Sequence, residues 1–248
     1  MTTCLIFFAL HWYLSLFCQT FFLHRYAAHA SISMSKGWEK FFFILTWLFQ
    51  GSSYLSAYGY GVLHRMHHAY TDTEKDPHSP KYDSNLFTMM WRTKSIYSNI
   101  FYRRMDVDEK FTKDVPQWNA FDRLADNWIS RIFWITLYIV FYFYFAGDSW
   151  WLYFLIPIHA MMGPVHGAII NWFAHKYGYT NYKVADTSKN MLPLDILMFG
   201  ESYHNNHHKY GNDPNFGKKW FEIDPGYIVI KILSFFKIVK INKPVLED

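Results

Sequence analysis

Two cysteines in 248 residues, Cys4 and Cys18, are too few for a disulfide framework or a thiolate metal site. Both fall in an apolar run near the N-terminus, where they read as small packing or lipid-facing residues. The sequence also lacks a dinucleotide fingerprint, a haem-binding motif, a low-complexity tract, a linker and a cleavable leader with a basic start. Chemistry that needs electrons would therefore have to draw them from a separate protein. Lysine and arginine are missing from two long stretches, 1–23 and 132–175, so all 24 basic residues lie in 24–131 and 176–248. If the two uncharged stretches cross a membrane, the positive-inside rule puts both basic regions on the cytoplasmic side. The net charge of +4 suits an anionic lipid surface or an acidic partner and carries no sign of nucleic-acid binding.

What is abundant is aromatic. Phe, Trp and Tyr make up 22% of the residues, far above a soluble average, which fits a chain solvated partly by lipid. Mean hydropathy is only −0.09, so a substantial polar part must lie outside the bilayer. Residues 4–23 match the length of one spanning helix. Residues 129–146 and 150–171, separated by Gly147-Asp148-Ser149, read as a transmembrane hairpin, with Arg131 snorkelling to the interface. Residues 38–62 turn from apolar to small and polar with basic residues on both sides, and read as an interfacial helix. The expected architecture is an all-α integral membrane protein, one domain over 1–248, with a cytoplasmic helical cap formed by 63–128 and 172–248.

Thirteen histidines are present, and nine fall in four groups beside the cytoplasmic ends of these spans. They are HRYAAH (His24, His29), HRMHH (His64, His67, His68), NWFAH (His175, with Asn171) and HNNHH (His204, His207, His208). In H-x-x-H-H, steps of three and four put the rings on one helical arc of about 100°. The spacing of five between His24 and His29 is poor for one α-helical face and suggests a helix end. Nine neutral imidazoles exceed a closed tetrahedral zinc site and suit two octahedral ions with positions left open. Imidazole binds zinc, copper, iron and nickel alike, so ligand type does not select the metal. Asp72, Asp76 and Glu201 are candidates to accept N–H bonds from ligating rings, Glu201 because it precedes His204 by three residues; otherwise they are solvated loop charges. His11, His159 and His166, inside the spans, read as interhelical hydrogen-bonding residues, and His78 as a loop residue near the site. The aromatic stripe at 41–60 reads as core and membrane belt, with Tyr60 at its end available to wall a substrate tunnel.

HxxxxH, HxxHH, NxxxH and HxxHH, in this order with hydrophobic hairpins between, resemble the membrane-bound fatty acyl desaturases. Four residues inside the first box point to the stearoyl-CoA-type, delta-nine branch. DPHSP (76–80), GESYHNNHH (200–208) and WFEIDPGYIVIKILSFF (220–236) resemble its bacterial members. The likeness covers roughly residues 20–240. It implies a mushroom-shaped helical protein of the bacterial inner membrane whose cap holds two iron ions. The nine matching histidines would be the ligands, and Asn171 would hold a water on one iron. Zinc, above iron in the affinity order, is the expected adventitious replacement. Two departures stand out. Only 23 residues precede the first box, where the family has a full hairpin. Val62-Leu63 stands where acyl-CoA members often carry Arg-Asp.

The implied chemistry is oxygen-dependent formation of a cis double bond in a saturated acyl chain, with an acyl-CoA expected. Val62-Leu63 leaves an acyl carrier protein or a phospholipid as the carrier open. A methylene C–H has no acidity for side chains to exploit, so the metals must supply the reactivity while the protein aligns one C–C bond in a dry tunnel. Electrons would come from a ferredoxin, rubredoxin or cytochrome b5-type donor. Two rivals are a membrane hydroxylase with the same metals and a non-enzymatic metal carrier. The carrier would need ligands along a transmembrane path, whereas these cluster at one face.

Overall fold

The first helix, α1, runs from Thr2 to Ala28, five residues beyond the expected span. It thereby carries His24 on a helix. The structure, a computed structural model, describes residues 1–243. Residues 244–248, the tail of the expected cap segment, lie outside the described residues. From Cys18 to Ala28 the helix is wound as a π-helix, closed by i→i−5 bonds such as His29 N–H to His24 O at 3.0 Å. In that winding a spacing of five is one turn. The HxxxxH pair does sit at a helix end, with His29 as the cap, and the π-winding is what turns the two rings toward each other.

The expected interfacial helix 38–62 is two helices. Ser35 accepts from Trp38 N–H and starts α2 (Lys36–Gln50). Gly51, at φ +54°, stops it, and any Cβ there would run into the Tyr138 hydroxyl. Ser56 accepts from Gly59 N–H at 3.1 Å and starts α3 (Ala57–Tyr70). The boundary expected at residue 63 thus falls inside a helix, because α3 carries the whole HRMHH box. The cap continues through α4 (Leu86–Phe101), α5 (Glu109–Thr112) and α6 (Asn119–Ala125).

Helix α7 (Trp128–Phe145) is the second helix long and apolar enough to cross a membrane. Most of its side chains are exposed; Ser130, Tyr138 and Tyr142 are buried. Arg131, expected at the interface, pairs with Asp126 and donates to Ser52 O. The expected third span is broken: α8 (Trp150–Ala160) and α9 (Met162–Phe173) meet at 76°. The cause is local. Pro164 has no N–H to offer the carbonyl of Ala160, four residues back. That carbonyl accepts from Ser52 Oγ at 3.1 Å instead, and Gly163 N–H donates to Ser53 Oγ at 3.0 Å. The turn after α2 therefore satisfies the backbone that the break releases.

The second half of α1 packs Phe21, Phe22 and Leu23 against Phe42, Phe43, Ala57 and Ile230. Ile230 belongs to α11 (Pro225–Phe235), which follows the short α10 (His204–Lys209). A two-stranded antiparallel sheet then pairs β1 (Ile32–Met34) with β2 (Val239–Ile241), Ser33 opposite Lys240. It ties the end of the described chain to the segment just after His29.

The Met1 amino group lies 3.4 Å from Phe145 O, so the N-terminus and the α7–α8 turn share one end of the molecule. Cys4 and Cys18 are fully buried and inert to labelling in the folded chain. A cysteine at Asp148 is expected to react with an impermeant maleimide from outside intact cells, and one at Lys219 only after permeabilisation. Labelling of both from one side would refute the crossing pattern.

Candidate metal centre

The helices bring all nine box histidines together, in two groups. His24, His29, His64, His68 and His207 each offer a nitrogen within 4.8 Å of the others; His67, His175, His204 and His208 do the same. The division follows helical geometry. On α3 the i, i+4 pair His64 and His68 joins the first group while His67, between them, turns to the second. On α10 the pair His204 and His208 joins the second group while His207 crosses to the first. Each HxxHH box thus gives two rings to one group and exchanges its middle ring with the other. His29 caps α1, and His175 stands just past α9.

The donor atoms point at common centres. In the first group the Nε2 atoms form a chain of close contacts: His24 to His207 at 3.0 Å, His207 to His68 at 2.9 Å, His68 to His64 at 3.0 Å, and His64 to His29 at 2.9 Å. Each neutral Nε2 carries either a proton or a lone pair, so hydrogen bonds can satisfy at most two of these four contacts. A shared cation satisfies all of them. With metal–imidazole bonds of about 2.1 Å, ligands at right angles sit about 3.0 Å apart and tetrahedral ones about 3.4 Å. The observed spacing fits the octahedral case. In the second group His204 and His175 place their Nε2 atoms 3.0 Å apart, and Nε2 of His67 and of His208 is buried with no hydrogen-bond partner among the described residues. The residues present therefore fit a pair of imidazole-bound metal ions.

Three of the rings have an acid against the opposite nitrogen. His67 Nδ1–H donates to Asp76 Oδ1 at 2.8 Å and His208 Nδ1–H to Asp186 Oδ2 at 2.9 Å. His24 Nδ1 lies 2.7 Å from Glu201 Oε2. The two hydrogen bonds leave the Nε2 lone pairs of His67 and His208 facing the centre. Burial, and then the neighbouring imidazoles, hold His64, His68, His204, His207 and His208 well below the ordinary histidine pKa, so they are neutral and able to bind at pH 7. Burial is the largest single influence on the Asp76 carboxyl and pushes it up, but the charges and hydrogen bonds of His67 and His78 together outweigh it and leave the group below the usual carboxylate range.

Residues 2–220 match the sequence profile of the family described as fatty acid desaturase. The chain belongs to that family. It is 30% identical over 226 residues to delta-9 acyl-lipid desaturase 2 of Arabidopsis thaliana, covering 87% of this chain and 66% of that one. To the sn-1 stearoyl-lipid 9-desaturase of Synechocystis sp. it is 29% identical over 225 residues, 88% of this chain and 64% of that one. To a hex-5-enoyl-acyl-carrier-protein acetylenase of Moorena producens it is 28% identical over 251 residues, 88% of this chain and 70% of that one. The chain spans just under two thirds of the length of the first two relatives.

Other expected site residues of this desaturase-family chain fall in varied places. Glu201 serves His24, not His204 as its position in sequence suggests, because the π-wound end of α1 packs over it. Asp72 bonds no ring directly. It accepts from Thr187 N–H and Oγ–H, both at 2.7 Å, and Thr187 Oγ lies 3.2 Å from His175 Nδ1. Tyr60 stacks on His64 at 5.7 Å between ring centres. Asn171 lies on the π-wound end of α9 and is half-buried. His78 is buried against His67, at 4.1 Å between ring centres, and forms a third grouping with His67 and Asp76. His159 does bond across helices, to His11 and Tyr142, whereas His166 finds no partner among the described residues.

Asp186 and Thr187 escape sequence reasoning, since they sit in an irregular segment with no periodicity. Arg25 does too. It is fully buried, paired with Asp224 at 2.8 Å and Glu201 at 3.1 Å, and its guanidinium lies 3.7 Å from the Phe216 ring centre. Only its adjacency to His24 hints at such a place. Asp186→Ala is expected to free His208 and weaken metal binding in the second group 10- to 100-fold, an effect of about 1.4–2.7 kcal/mol. Metal analysis after graded chelation should show one ion lost early and the other retained. Simultaneous loss of both would count against two distinct positions.

Proposed function

We propose that the chain is an oxygen-dependent fatty acyl desaturase that introduces a cis double bond into a saturated chain. The observation that carries this is the pair of imidazole groups, nine rings in all, in a chain of the fatty acid desaturase family. Two iron ions held by those rings would supply the activation of dioxygen and the removal of hydrogen from adjacent methylenes. The chain's own residues do the rest. Asp76, Asp186 and Glu201 hold rings from the far side; burial of His24, His64, His67, His175, His204 and His207 excludes water; and Tyr60 packs over His64 beside the first group. Asn171 orients a water at the metals in this reading, and Tyr60 walls the acyl tunnel.

The acyl chain is proposed to arrive attached to a lipid. The relatives named acyl-lipid and stearoyl-lipid desaturases support this, as does the apolar pair Val62-Leu63 before the second box. The metal groups face the cytoplasm, and the electrons come from a separate carrier.

Expression in a host lacking the unsaturation, with gas chromatography of each lipid class, tests the proposal. A new alkene should appear first in intact lipid. A hydroxylated chain would point to the related oxygenase reaction, and a new alkene confined to the coenzyme A pool would remove the lipid-linked substrate. Asn171→Ala should keep wild-type iron content and melting temperature yet lose most of the product. A loss of about 1 kcal/mol of stability with turnover per iron-loaded molecule intact would reduce Asn171 to a helix-end residue.

A further inference from the structure

Helix α10 is six residues long, yet it carries three of the nine rings and serves both groups. A helix that short is marginal in water on its own. Its N-cap residue, Tyr203, supplies no side-chain cap. The position and rotation of α10 must therefore be set from outside the helix.

At about 100° per residue, the rings of His204, His207 and His208 cover one arc of α10, and Asn206 stands about 150° from the middle of that arc. Asn190 Oδ1 accepts from the backbone N–H groups of Asn205 and Asn206, at 3.0 and 3.2 Å, and so replaces the missing cap. Asn190 Nδ2 donates to Asn206 Oδ1 at 3.0 Å. Asn206 Nδ2 in turn donates to Glu222 Oε2 and to Phe216 O, both at 2.8 Å. The Glu222 carboxylate also accepts from the Tyr179 hydroxyl and from Asn181 Nδ2, both at 2.7 Å. The backbone N–H groups of Lys218 and Lys219 donate to it at 2.7 and 2.9 Å. Asn190 and Asn206 are fully buried and Glu222 nearly so. A buried carboxylate taking this many N–H and O–H bonds is a strong anchor, and removing its charge leaves donors without partners.

We propose that Asn190, Asn206 and Glu222 form a clamp that positions α10, and thereby holds ligands of both metal groups from the far side of the helix. The three act through the helix itself and not through a ring. Asn190 lies between α9 and α10, where its backbone bridges to Tyr179 and Tyr203, and Glu222 lies just before α11. The clamp thus ties α10 to the chain on both of its sides. Asp76, Asp186 and Glu201 each hold one ring, whereas this clamp sets three. The inference rests on the two ring groups and not on the reaction proposed for them.

Cobalt(II) bound to the chain in detergent reports ligand geometry by its visible absorption, and graded chelation reads how firmly each ion is held. The wild-type chain should bind two ions. Glu222→Gln and Asn206→Asp barely change side-chain shape. Each should lower the chelator concentration that removes either ion by about tenfold or more, both ions together, and alter the absorption. Combined, the two substitutions restore one donor–acceptor contact between positions 206 and 222 and should recover part of the loss. Asp122→Asn on α6, at a buried carboxylate that takes the Tyr54 hydroxyl, should lower the melting temperature and leave both ions as they were.

Unchanged retention of both ions in the folded single variants overturns the proposal. So does loss of one ion only, the pattern expected of Asp186→Ala. An equal effect of Asp122→Asn would reduce the clamp to general stability and overturn it too. Should Glu222→Gln fail to fold, Tyr179→Phe takes one donor from the carboxylate and must still move both ions the same way; no movement there is fatal. These shifts in a chain that forms no alkene would uphold the clamp and dismiss the desaturase reading, so the two failures are distinguishable.

Discussion

Neutral imidazoles do not gather of their own accord. Their lone pairs repel, burial strips them of water, and rings whose nitrogens stand about 3.0 Å apart can exchange at most half of the hydrogen bonds such closeness suggests. The cap is organised around holding that arrangement. Every acid that touches a ring does so from the side away from the centre, so the carboxylates Asp76, Asp186 and Glu201 aim nitrogens inward without entering the site. Arg25, buried between Glu201 and Asp224, compensates the charge this leaves in the interior. A metal ion would relieve the remaining repulsion.

The backbone departs from regular geometry where the site demands it. The π-winding of α1 makes a five-residue spacing into one turn. The break between α8 and α9 lets the chain change direction within an apolar segment, with Ser52 and Ser53 meeting the freed backbone groups. Those serines follow Gly51, whose backbone angle ends α2. One short turn therefore terminates a helix and completes the bend of another, and α3, starting at its far end, delivers the second histidine box.

The donor set was legible because chemistry imposes spacing: HxxHH twice, with apolar stretches free of basic residues around it, leaves few alternatives. What was hidden depends on tertiary contact. His67 and His207 exchange groups, a choice set by how α3 and α10 face each other. Glu201 serves a ring 177 positions away in sequence rather than the one beside it. Asp186 lies in a segment without repeat or motif. Helix continuity misled most, since apolar composition alone does not register a proline whose missing N–H bends a helix, or a glycine that stops one.

The crossed assignment of the two middle histidines has a mechanical meaning. A small rotation of either α3 or α10 about its own axis displaces ligands of both groups at once. Neither position can be tightened, loosened or reshaped alone by moving one of these helices. The two sites therefore behave as one coupling element, like gears on interlocked shafts, and any partner or lipid that shifts one helix acts on the pair.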